Sequence, residues 1–355
     1  LHTDMASSVV PYLSGCLGFA VALLVSVILV ITNQLHGSLT MDTATGVQMF
    51  HTVPTPRIGG VPLVVGFIAS WFLLEGEAQQ VFGLIGLAGL PALVVGLAED
   101  ITKKVGVRER LVATIASGMI FAVLTGYTIT SIHVWGFDAL LAVPLISFAF
   151  TAFAIGGAAN AINLIDGFHG LASGTLVIIL LAFALVGWRV QDITLVTMAL
   201  VMAAIIAGFF VVNFPVGKLF RGDAGAYFSG YVVAVLAVML PARNPEVSPW
   251  ISLFILGYPV IETVASIIRR HLDDNAHPGA PDSAHLHHLV HRNLAFKTAK
   301  YAKLPNLQNA LTSPFMWAIP LLTLPAVGYG GLEHENAIWY MAISATFYLV
   351  SYRGI

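Results

Sequence analysis

Charged side chains are scarce in this chain. Only 10% of the 355 residues are Asp, Glu, Lys or Arg, whereas 57% are hydrophobic and the mean hydropathy is +0.86. Because soluble domains carry about 25% charged residues, this composition excludes a soluble protein and predicts one that crosses a membrane several times. The single cysteine, Cys16, excludes an internal disulfide and a thiolate metal cluster. The net charge of −2 gives no sign of a nucleic-acid partner, and none is expected.

Long apolar runs are abundant. A membrane-spanning helix needs roughly 20 apolar residues, and we find eleven runs of about that length, at approximately 9–32, 58–74, 81–97, 110–129, 139–158, 171–187, 193–212, 224–241, 249–268, 314–331 and 336–352. The first run lacks a basic segment before it, so we expect a membrane helix rather than a cleavable signal peptide. The chain shows no internal repeat, which predicts one all-α transmembrane domain over residues 1–355.

The basic residues are unevenly distributed among the loops. If all eleven runs span, the loops alternate between two faces, and fourteen of the sixteen Lys and Arg residues fall on one face. Only Arg189 and Arg243 fall on the other face. Because Lys and Arg favour cytoplasmic loops, we predict an outside N-terminus, a cytoplasmic C-terminus and a basic cytoplasmic face.

The same face collects five polar motifs. They are HTVPTPRIGG (51–60), GLAEDITKKVGVRER (96–110), NAINLIDGFHG (160–170), FRGDAGAYFSG (220–230) and PDSAHLHHLVHR (281–292). Polar groups are costly in a bilayer unless they line a wet site. We therefore predict a single active site formed by the cytoplasmic loops 33–57, 98–109, 159–170, 213–223 and 269–313.

Carboxylates at the predicted helix ends are candidates for metal and acid–base chemistry. Asp223 lies in GDAG, where glycines leave room for a metal-bound pyrophosphate, although an Asp before a helix is ordinarily an N-cap. Glu99 and Asp100 point in different directions on a helix, so they can hold different roles, or they form a solvated helix end. Such ligands favour Mg²⁺ or Mn²⁺. Glu262 lies in an apolar run and is expected to make a structural hydrogen bond or ion pair between helices.

Arg57 and the NAINLIDGFHG motif are candidates for nucleotide contacts. Arg57 lies between PTP and GG, which suits either a phosphate clamp or a basic anchor of the cytoplasmic face. Asn160, Asn163 and Asp166 recur every three residues, near one face of a helix end. The amides of Asn160 and Asn163, with Gly167 and Gly170, could bind a nucleobase or ribose, or the glycines could serve helix packing.

The HLHH segment places His285, His287 and His288 together, with His291 and Arg292 close behind. Three histidines could bind Zn²⁺, but the segment lacks cysteine and its spacing is not a usual zinc pair. The same side chains could contact phosphate or sugar oxygens, which is the interpretation that we favour. An amphipathic helix on the membrane face is the third interpretation.

Taken in order, PTPRIGG, the acidic pair at 99–100, NAINLIDG, GDAG and HLHH resemble the motifs of the polyprenyl-phosphate N-acetylhexosamine-1-phosphate transferases, the glycosyltransferase 4 family. The resemblance runs from about residue 50 to residue 295 and favours the GlcNAc-type branch. It implies transfer of HexNAc-1-phosphate from a UDP-N-acetylhexosamine to undecaprenyl phosphate, with Mg²⁺ or Mn²⁺ and release of UMP. It also implies a bacterial inner-membrane enzyme with a cytoplasmic active site that initiates a cell-surface glycan, and a homodimer.

The resemblance also implies residue roles. Asp100, Glu99 and Asp223 would be catalytic, with Asp223 and Asp100 at the metal. The substrates would contact Arg57, Asn160, Asn163, Asp166, His285, His287, His288 and Arg292.

Two positions depart from the family's pattern. The family usually has Asp-Asp where this chain has Glu99-Asp100, and His169 stands where a second acid is frequent. Neither departure touches Asp223 or Asp100, so we interpret the chain as a divergent active member. Three alternatives stay open: an enzyme resembling phospho-MurNAc-pentapeptide transferase, a polytopic transporter and an inactive homologue. The lack of inverted repeats disfavours the transporter.

Overall fold

The computed structural model describes residues 2–42, 54–272 and 284–355, so parts of the predicted site loops 33–57 and 269–313 lie outside the described residues. The described chain is almost entirely helical. Its α-helices are α1 (His2–Ile31), α2 (Asn33–Thr40), α3 (Gly60–Leu73), α4 (Gly76–Ala88), α5 (Leu90–Thr102), α6 (Val107–Thr125), α7 (Phe137–Leu141), α8 (Pro144–Leu164), α9 (Leu171–Arg189), α10 (Ile193–Asn213), α11 (Gly222–Arg243), α12 (Pro249–Ile255), α13 (Gly257–Leu272), α14 (Leu286–Val290), α15 (Phe296–Tyr301), α16 (Thr312–Leu321), α17 (Thr323–Tyr329) and α18 (His334–Gly354). A π-helical turn, His291–Ala295, joins α14 to α15, and a 3₁₀ turn covers Pro305–Leu307.

Five helices in the described residues are long and apolar enough to cross a membrane. They are the Tyr12–Ile31 part of α1, and α8, α9, α10 and α11. Two bent pairs, α4 with α5 and α12 with α13, raise the number to seven if each pair is one span. The protein is therefore an all-α membrane protein.

Each of the eleven predicted runs falls on a helix or a helix pair, but four are interrupted. α4 and α5 meet at 46°, and α12 and α13 meet at 81°. The run at 139–158 is divided between α7 and α8, and the run at 314–331 between α16 and α17. A proline follows each of these breaks. Pro259 and Pro325 stand four residues after the last residues of α12 and α16, and Pro91 stands four residues after the penultimate residue of α4. A proline ring lacks the amide hydrogen and clashes with the carbonyl four residues earlier, so these helices end where the apolar runs continue.

α11 lies at the centre of the bundle and is buried along nearly its whole length. Small residues let its neighbours approach closely. A Cβ added at Gly96 of α5 would lie 2.6 Å from the Ala224 Cα, and one added at Gly230 would lie 2.9 Å from the Ala159 Cα of α8. Close backbone approach through small residues is a common packing mode of membrane helices. It brings the start of α11 against the end of α5.

A short antiparallel pair fixes the segment before α3. β1 (Met41–Asp42) pairs with β2 (Thr55–Pro56). The Phe220 N–H donates to the Pro56 carbonyl, and the Gly59 N–H donates to the Phe220 carbonyl, both at 2.9 Å. These bonds hold Arg57 beside the start of α11.

Candidate active site

Four helix ends and one turn meet at one end of the bundle. α11 and α3 begin there at Gly222 and Gly60, α5 ends there at Thr102, and α6 begins at Val107. The turn that follows α8 after Leu164 completes the group. Helix ends carry unpaired backbone groups, so this is where polar side chains gather.

Asp100 closes the N-terminus of α11 from a different helix. Its carboxylate accepts from the backbone N–H of Asp223 at 2.7 Å and from that of Ala224 at 2.9 Å. Gly222 makes this possible, because it has a φ of +71° and a Cβ there would lie 2.5 Å from the Asp100 Oδ2. The sequence left open whether Asp223 binds a metal or caps the helix. In the structure, Asp100 and not Asp223 accepts the hydrogen bonds that cap α11.

Asp223 itself lies between two arginines. One carboxylate oxygen pairs with Arg57 and the other with Arg110. The Arg57 Nε is also 3.6 Å from the Asp100 Oδ1. Asp223 is buried, whereas the two arginine side chains are 30% and 16% exposed. The guanidinium groups thus neutralise the carboxylates and still reach solvent. We call Arg57, Asp100, Arg110 and Asp223 the Asp223 cluster.

The two asparagines of NAINLIDGFHG are placed differently. The Asn163 side-chain amide donates to the hydroxyl of Tyr227, one turn after Asp223, at 2.9 Å. The Asn160 amide donates to the Thr114 hydroxyl and to the Gly156 carbonyl, at 2.9 and 2.8 Å. Asn163 therefore borders the cluster, whereas Asn160 ties α8 to α6.

Asp166 faces a buried arginine. Arg221 donates to the Ser229 hydroxyl at 2.7 Å and to the Ser173 hydroxyl at 2.6 Å. Its Nε lies 3.7 Å from the Asp166 Oδ1 and has no hydrogen-bond partner among the described residues. Burial raises the pKa of Asp166 to about 6, although Arg221 and then Arg57 oppose the increase. The turn after α8 thus carries a carboxyl group that titrates near neutral pH.

The histidines of HLHH pack into a buried row beside the same turn. The rings of His285 and His287 are stacked with centroids 5.2 Å apart, and those of His287 and His288 are 4.4 Å apart. Phe168 contacts His287 and His288, and a Cβ added at Gly167 would lie 4.0 Å from the His287 Nε2. Burial, and then His288 and His285, lower the pKa of His287 well below its usual range. His287 is therefore a neutral hydrogen-bonding group at pH 7.

This geometry can be compared with known proteins. The family model described as Glycosyl transferase family 4 matches residues 82–241. A probable undecaprenyl-phosphate N-acetylglucosaminyl 1-phosphate transferase from Bacillus subtilis is 31% identical over 241 residues, which are 67% of this chain and 66% of that protein. The undecaprenyl-phosphate alpha-N-acetylglucosaminyl 1-phosphate transferase of Escherichia coli K12 is 25% identical over 243 residues, 67% of this chain and 65% of that protein.

The chain belongs to glycosyl transferase family 4. The family expected from the ordered motifs is thereby confirmed. A third relative, the enzyme of the same name from Salmonella typhimurium, is 27% identical over 248 residues, 68% of this chain and 66% of that protein. The chain spans slightly under two thirds of the length of each of these relatives.

Within this family 4 member, most of the predicted site residues lie together. Arg57, Asp100 and Asp223 are in contact, and Asn163 joins them through Tyr227. The turn that carries Asp166 connects them to the row of His285, His287 and His288. Their chemical roles stay predictions.

Glu99 lies near Arg110 of the Asp223 cluster, but its hydrogen bond is made outside the cluster, and Arg292 lies on a different turn. The Glu99 Oε2 accepts from the backbone N–H of Val105 at 2.7 Å, in the turn between α5 and α6. The two adjacent acids thus point in different directions, as the sequence predicted. Arg292 is exposed on the π-helical turn after α14.

Arg110, Arg221 and Tyr227 are site residues that the sequence did not single out. In the sequence, Arg110 is one of several basic residues near the same loop, so it does not stand out. However, Thr114, Ser117 and Gly118 follow it at helical spacing, and all three are buried. A basic residue at the end of such a small, polar stripe is a signal for an inward-facing side chain. For Arg221, the sequence offers only its position beside GDAG.

The residues at the start of α11 fit a hard divalent cation in part. Each oxygen of Asp100 and Asp223 already has at least one hydrogen-bond or ion-pair partner, but a carboxylate has about four acceptor positions. No group of three His, Cys, Asp or Glu side chains suited to a metal occurs in the part of the chain that the structure describes. The site thus suits Mg²⁺ or Mn²⁺ held by one or two carboxylates plus water and substrate oxygens, and does not suit a cation enclosed by protein ligands alone.

Proposed function

We propose that this protein transfers HexNAc-1-phosphate from a UDP-N-acetylhexosamine to undecaprenyl phosphate and releases UMP. The observation that carries the proposal is the Asp223 cluster, in which two carboxylates and two partly exposed arginines meet at one end of a membrane bundle. The names of the relatives support the lipid acceptor and the sugar phosphate. The product would be a lipid pyrophosphate-linked sugar that begins a cell-surface glycan such as the O-antigen of lipopolysaccharide.

The reaction joins two anions, so charge neutralisation is the main requirement. An oxygen of the lipid phosphate attacks the β-phosphorus of the UDP-sugar, and the bond from that phosphorus to the oxygen bridging it to the α-phosphorus breaks, so that UMP leaves with the electron pair. Arg57 and Arg110 each donate to Asp223 and are partly exposed, so they can also donate to phosphate oxygens. Positioning and electrostatic stabilisation account for most catalysis in such phosphoryl transfers.

Asp223 and Asp100 would hold Mg²⁺ or Mn²⁺. The cation would neutralise pyrophosphate oxygens as negative charge develops on the leaving UMP. Asp100 has a second assignment that the structure supports, as the cap of α11. The sequence also suggested Asp100 as a base, but a phosphate monoester has a second pKa near 6 and is mostly ionised at pH 7. If Asp100→Asn retained near-full turnover, the base role would fail.

The nucleotide and the sugar would lie on the side of Asn163, Asp166 and the histidine row. Asn163 and Asp166 can hydrogen-bond to a base or ribose. The neutral His287 can exchange hydrogen bonds with sugar hydroxyls or with the acetamido group. We keep Asn160, Arg292 and Glu99 as members of the proposed site, although the hydrogen bonds of Asn160 and Glu99 are made outside the Asp223 cluster.

The finer topology belongs to the same proposal. We propose eleven spans, an outside N-terminus and a site on the cytoplasmic face of a bacterial inner membrane, in a single domain built around the five predicted loops. The excess of Lys and Arg on one predicted face supports this orientation. Cysteine accessibility in spheroplasts would test it, and mass photometry in nanodiscs would test the homodimer.

The decisive experiment is UMP release by the purified protein with undecaprenyl phosphate, Mg²⁺ and a panel of UDP-sugars. We expect release with a UDP-N-acetylhexosamine that is lost with EDTA and in Asp223→Asn. Asp192→Asn, which removes a carboxylate at the other end of the bundle, is the matched control and should remain active. Folded wild-type protein that releases no UMP with any donor, in either Mg²⁺ or Mn²⁺, would refute the proposal.

A further inference from the structure

A second carboxylate is buried outside the Asp223 cluster. Glu262 of α13 is 0% exposed. Its Oε1 lies 3.0 Å from the His285 Nδ1, and the backbone N–H of Leu286 donates to both carboxylate oxygens, at 3.2 and 3.3 Å. The hydroxyls of Tyr258 and Tyr348 face the same carboxylate. The ion pair or hydrogen bond expected for Glu262 is therefore made with the first histidine of HLHH.

This contact determines how His285 is held. The Glu262 carboxyl group accepts from the Leu286 N–H on both oxygens, and an imidazole that donates its Nδ1–H to Oε1 completes this set of donors around it. A partner on one ring nitrogen fixes both the tautomer and the orientation of a histidine. The Leu286 bond adds a backbone anchor, because Leu286 is the first residue of α14. Glu262 thus holds the ring of His285 and the start of the helix that carries His287 and His288.

The same contact connects α13 to the turn after α8. His285 stacks on His287 with their ring planes 9° apart, and His287 borders Gly167 and Phe168. A shift of the His285 ring would therefore move the His287 ring beside the turn that carries Asp166. Glu262 contacts His285 and Leu286 directly. The Tyr258 hydroxyl, which faces the same carboxylate, lies 3.5 Å from the His287 Nδ1 and so borders the same row.

We propose that Glu262 is a positioning residue, which fixes the Nδ1–H tautomer of His285 and the first turn of α14 and so aligns the histidine row for the UDP-sugar. The proposal rests on the proposed function of the site. It adds a residue that touches neither substrate and acts through His285.

The test compares two substitutions of different severity. Glu262→Met has similar volume but cannot accept either hydrogen bond. We expect kcat/KM for the UDP-sugar to fall about 10- to 100-fold, the loss usual when the hydrogen-bond partner of a metal-binding histidine is removed. The KM for undecaprenyl phosphate should stay unchanged. Glu262→Gln keeps one acceptor oxygen that can serve both donors, and it should recover most of the activity. Glu77→Met, at the other end of the bundle, is the control and should keep the kinetics of the wild type.

Two further measurements separate positioning from a general loss of folding. In the His285→Ala background, Glu262→Met should lower kcat/KM much less than in wild type, because the shared interaction is already gone. Nitrogen-15 spectra of the histidines in nanodiscs should show the Nδ1–H tautomer for His285 in wild type and its loss in Glu262→Met.

Wild-type kinetics in Glu262→Met, equal losses in both backgrounds, or an Nε2–H tautomer of His285 in wild type would each overturn the proposal. The spectra need no turnover. If wild-type protein released no UMP with any donor, that result would refute the proposed function, and the nitrogen-15 spectra would still decide the placement of His285.

Discussion

Asp166 and Asp192 each lie beside an arginine, yet their pKa values move in opposite directions. Burial raises the pKa of both carboxyl groups. For Asp192, hydrogen bonds from Arg243, from the Leu195 N–H and from Asn244 outweigh burial and hold the pKa below its usual range. For Asp166, the Arg221 Nε is 3.7 Å away, burial prevails, and the pKa rises to about 6. The two groups differ because several hydrogen bonds lower the pKa of Asp192, whereas only the charges of Arg221 and Arg57 act against burial at Asp166.

The same contrast holds for the two ends of α11. At its C-terminal end, Arg243 donates to Asp192 at 2.7 and 3.0 Å, to Glu77 at 2.6 Å and to the Tyr127 hydroxyl at 2.8 Å. We call these four residues the Arg243 network. The planar N–H donors of the Arg243 guanidinium are thus directed at side chains of the protein itself. Asp192 also accepts from the Leu195 N–H at 3.1 Å and so caps α10.

The two ends of α11 therefore suit different purposes. A cavity of about 600 Å³ opens at the Arg243 network, but the charged groups that line it are already hydrogen-bonded to one another. A saturated network holds helices together, whereas the Asp223 cluster has two partly exposed guanidinium groups around one carboxylate. We infer that the first is structural and the second is available for ligands, and paired substitutions can test that division.

The largest expected effect separates the two arginines. Arg110→Gln should lower kcat for UMP release by about 10²- to 10³-fold, as expected when a charge-stabilising donor is lost. Arg243→Gln should retain activity but lower stability by about 3 kcal/mol, because it leaves a buried carboxylate without its partner. Turnover and thermal unfolding in detergent would be measured for both variants. Similar losses of activity would abolish the proposed division.

The next effect concerns Gly222. Gly222→Ala forces an alanine into a φ of +71° and places its Cβ 2.5 Å from the Asp100 carboxylate, so the cap of α11 must shift. We expect kcat to fall by at least ~10-fold, since a displacement of about 1 Å in such a site can cost 10²-fold. Gly157→Ala is the matched control, because nothing lies within 4 Å of its added Cβ. Equal kinetics of the two variants would show that the cap geometry does not matter.

Removing either of two tyrosine hydroxyls should have a smaller effect on activity or stability. The Tyr227 hydroxyl accepts from Asn163, and the Tyr127 hydroxyl accepts from Arg243. A typical hydrogen bond contributes about 1 kcal/mol, so Tyr227→Phe should reduce kcat/KM about 5-fold. Tyr127→Phe should lower the melting temperature slightly without changing the kinetics. A kinetic loss confined to Tyr127→Phe would reverse the assignment of the two ends.

The smallest effect is a dependence of stability on pH. Because the folded-state pKa of Asp166 is raised to about 6, its contribution to stability is present below about pH 4 and is lost as the pH rises towards 6. The pKa of Asp192 is lowered, so its contribution is present above about pH 4 and is lost only in stronger acid.

Melting temperatures between pH 4.5 and 7 would test this sign. The difference between Asp166→Asn and wild type should change with pH in favour of the variant as the pH rises. The difference for Asp192→Asn should stay nearly constant. A constant difference for Asp166→Asn would contradict the raised pKa.

The positions of the helices could be predicted from the sequence, because apolar runs of the required length are a strong signal. The breaks coincide with Pro91, Pro259 and Pro325, but the prolines alone do not identify them, because Pro241 and Pro320 lie inside α11 and α16. The family could be predicted from five ordered motifs, since their joint occurrence is far more specific than any one of them.

The contacts inside the site were harder to predict. Spacing placed Asn160 and Asn163 near the same face of one helix, yet Asn160 donates to Thr114 and Asn163 to Tyr227. A pattern of three residues describes one helix, whereas the partner depends on which neighbour packs against it. The burial of Arg221 was missed for the same reason, because its partners Ser173 and Ser229 lie on α9 and further along α11.

The cap that Asp100 provides for α11 has a consequence for biogenesis. The first amide groups of α11 find their acceptor on α5, which enters the membrane more than a hundred residues earlier in synthesis. An unpaired amide group is costly once it leaves water. α11 can therefore settle completely only after α5 has docked beside it, and the event that completes the helix also assembles the carboxylates at its start. A bundle that assembles wrongly at this point would lack both, so correct assembly and a complete site arise together.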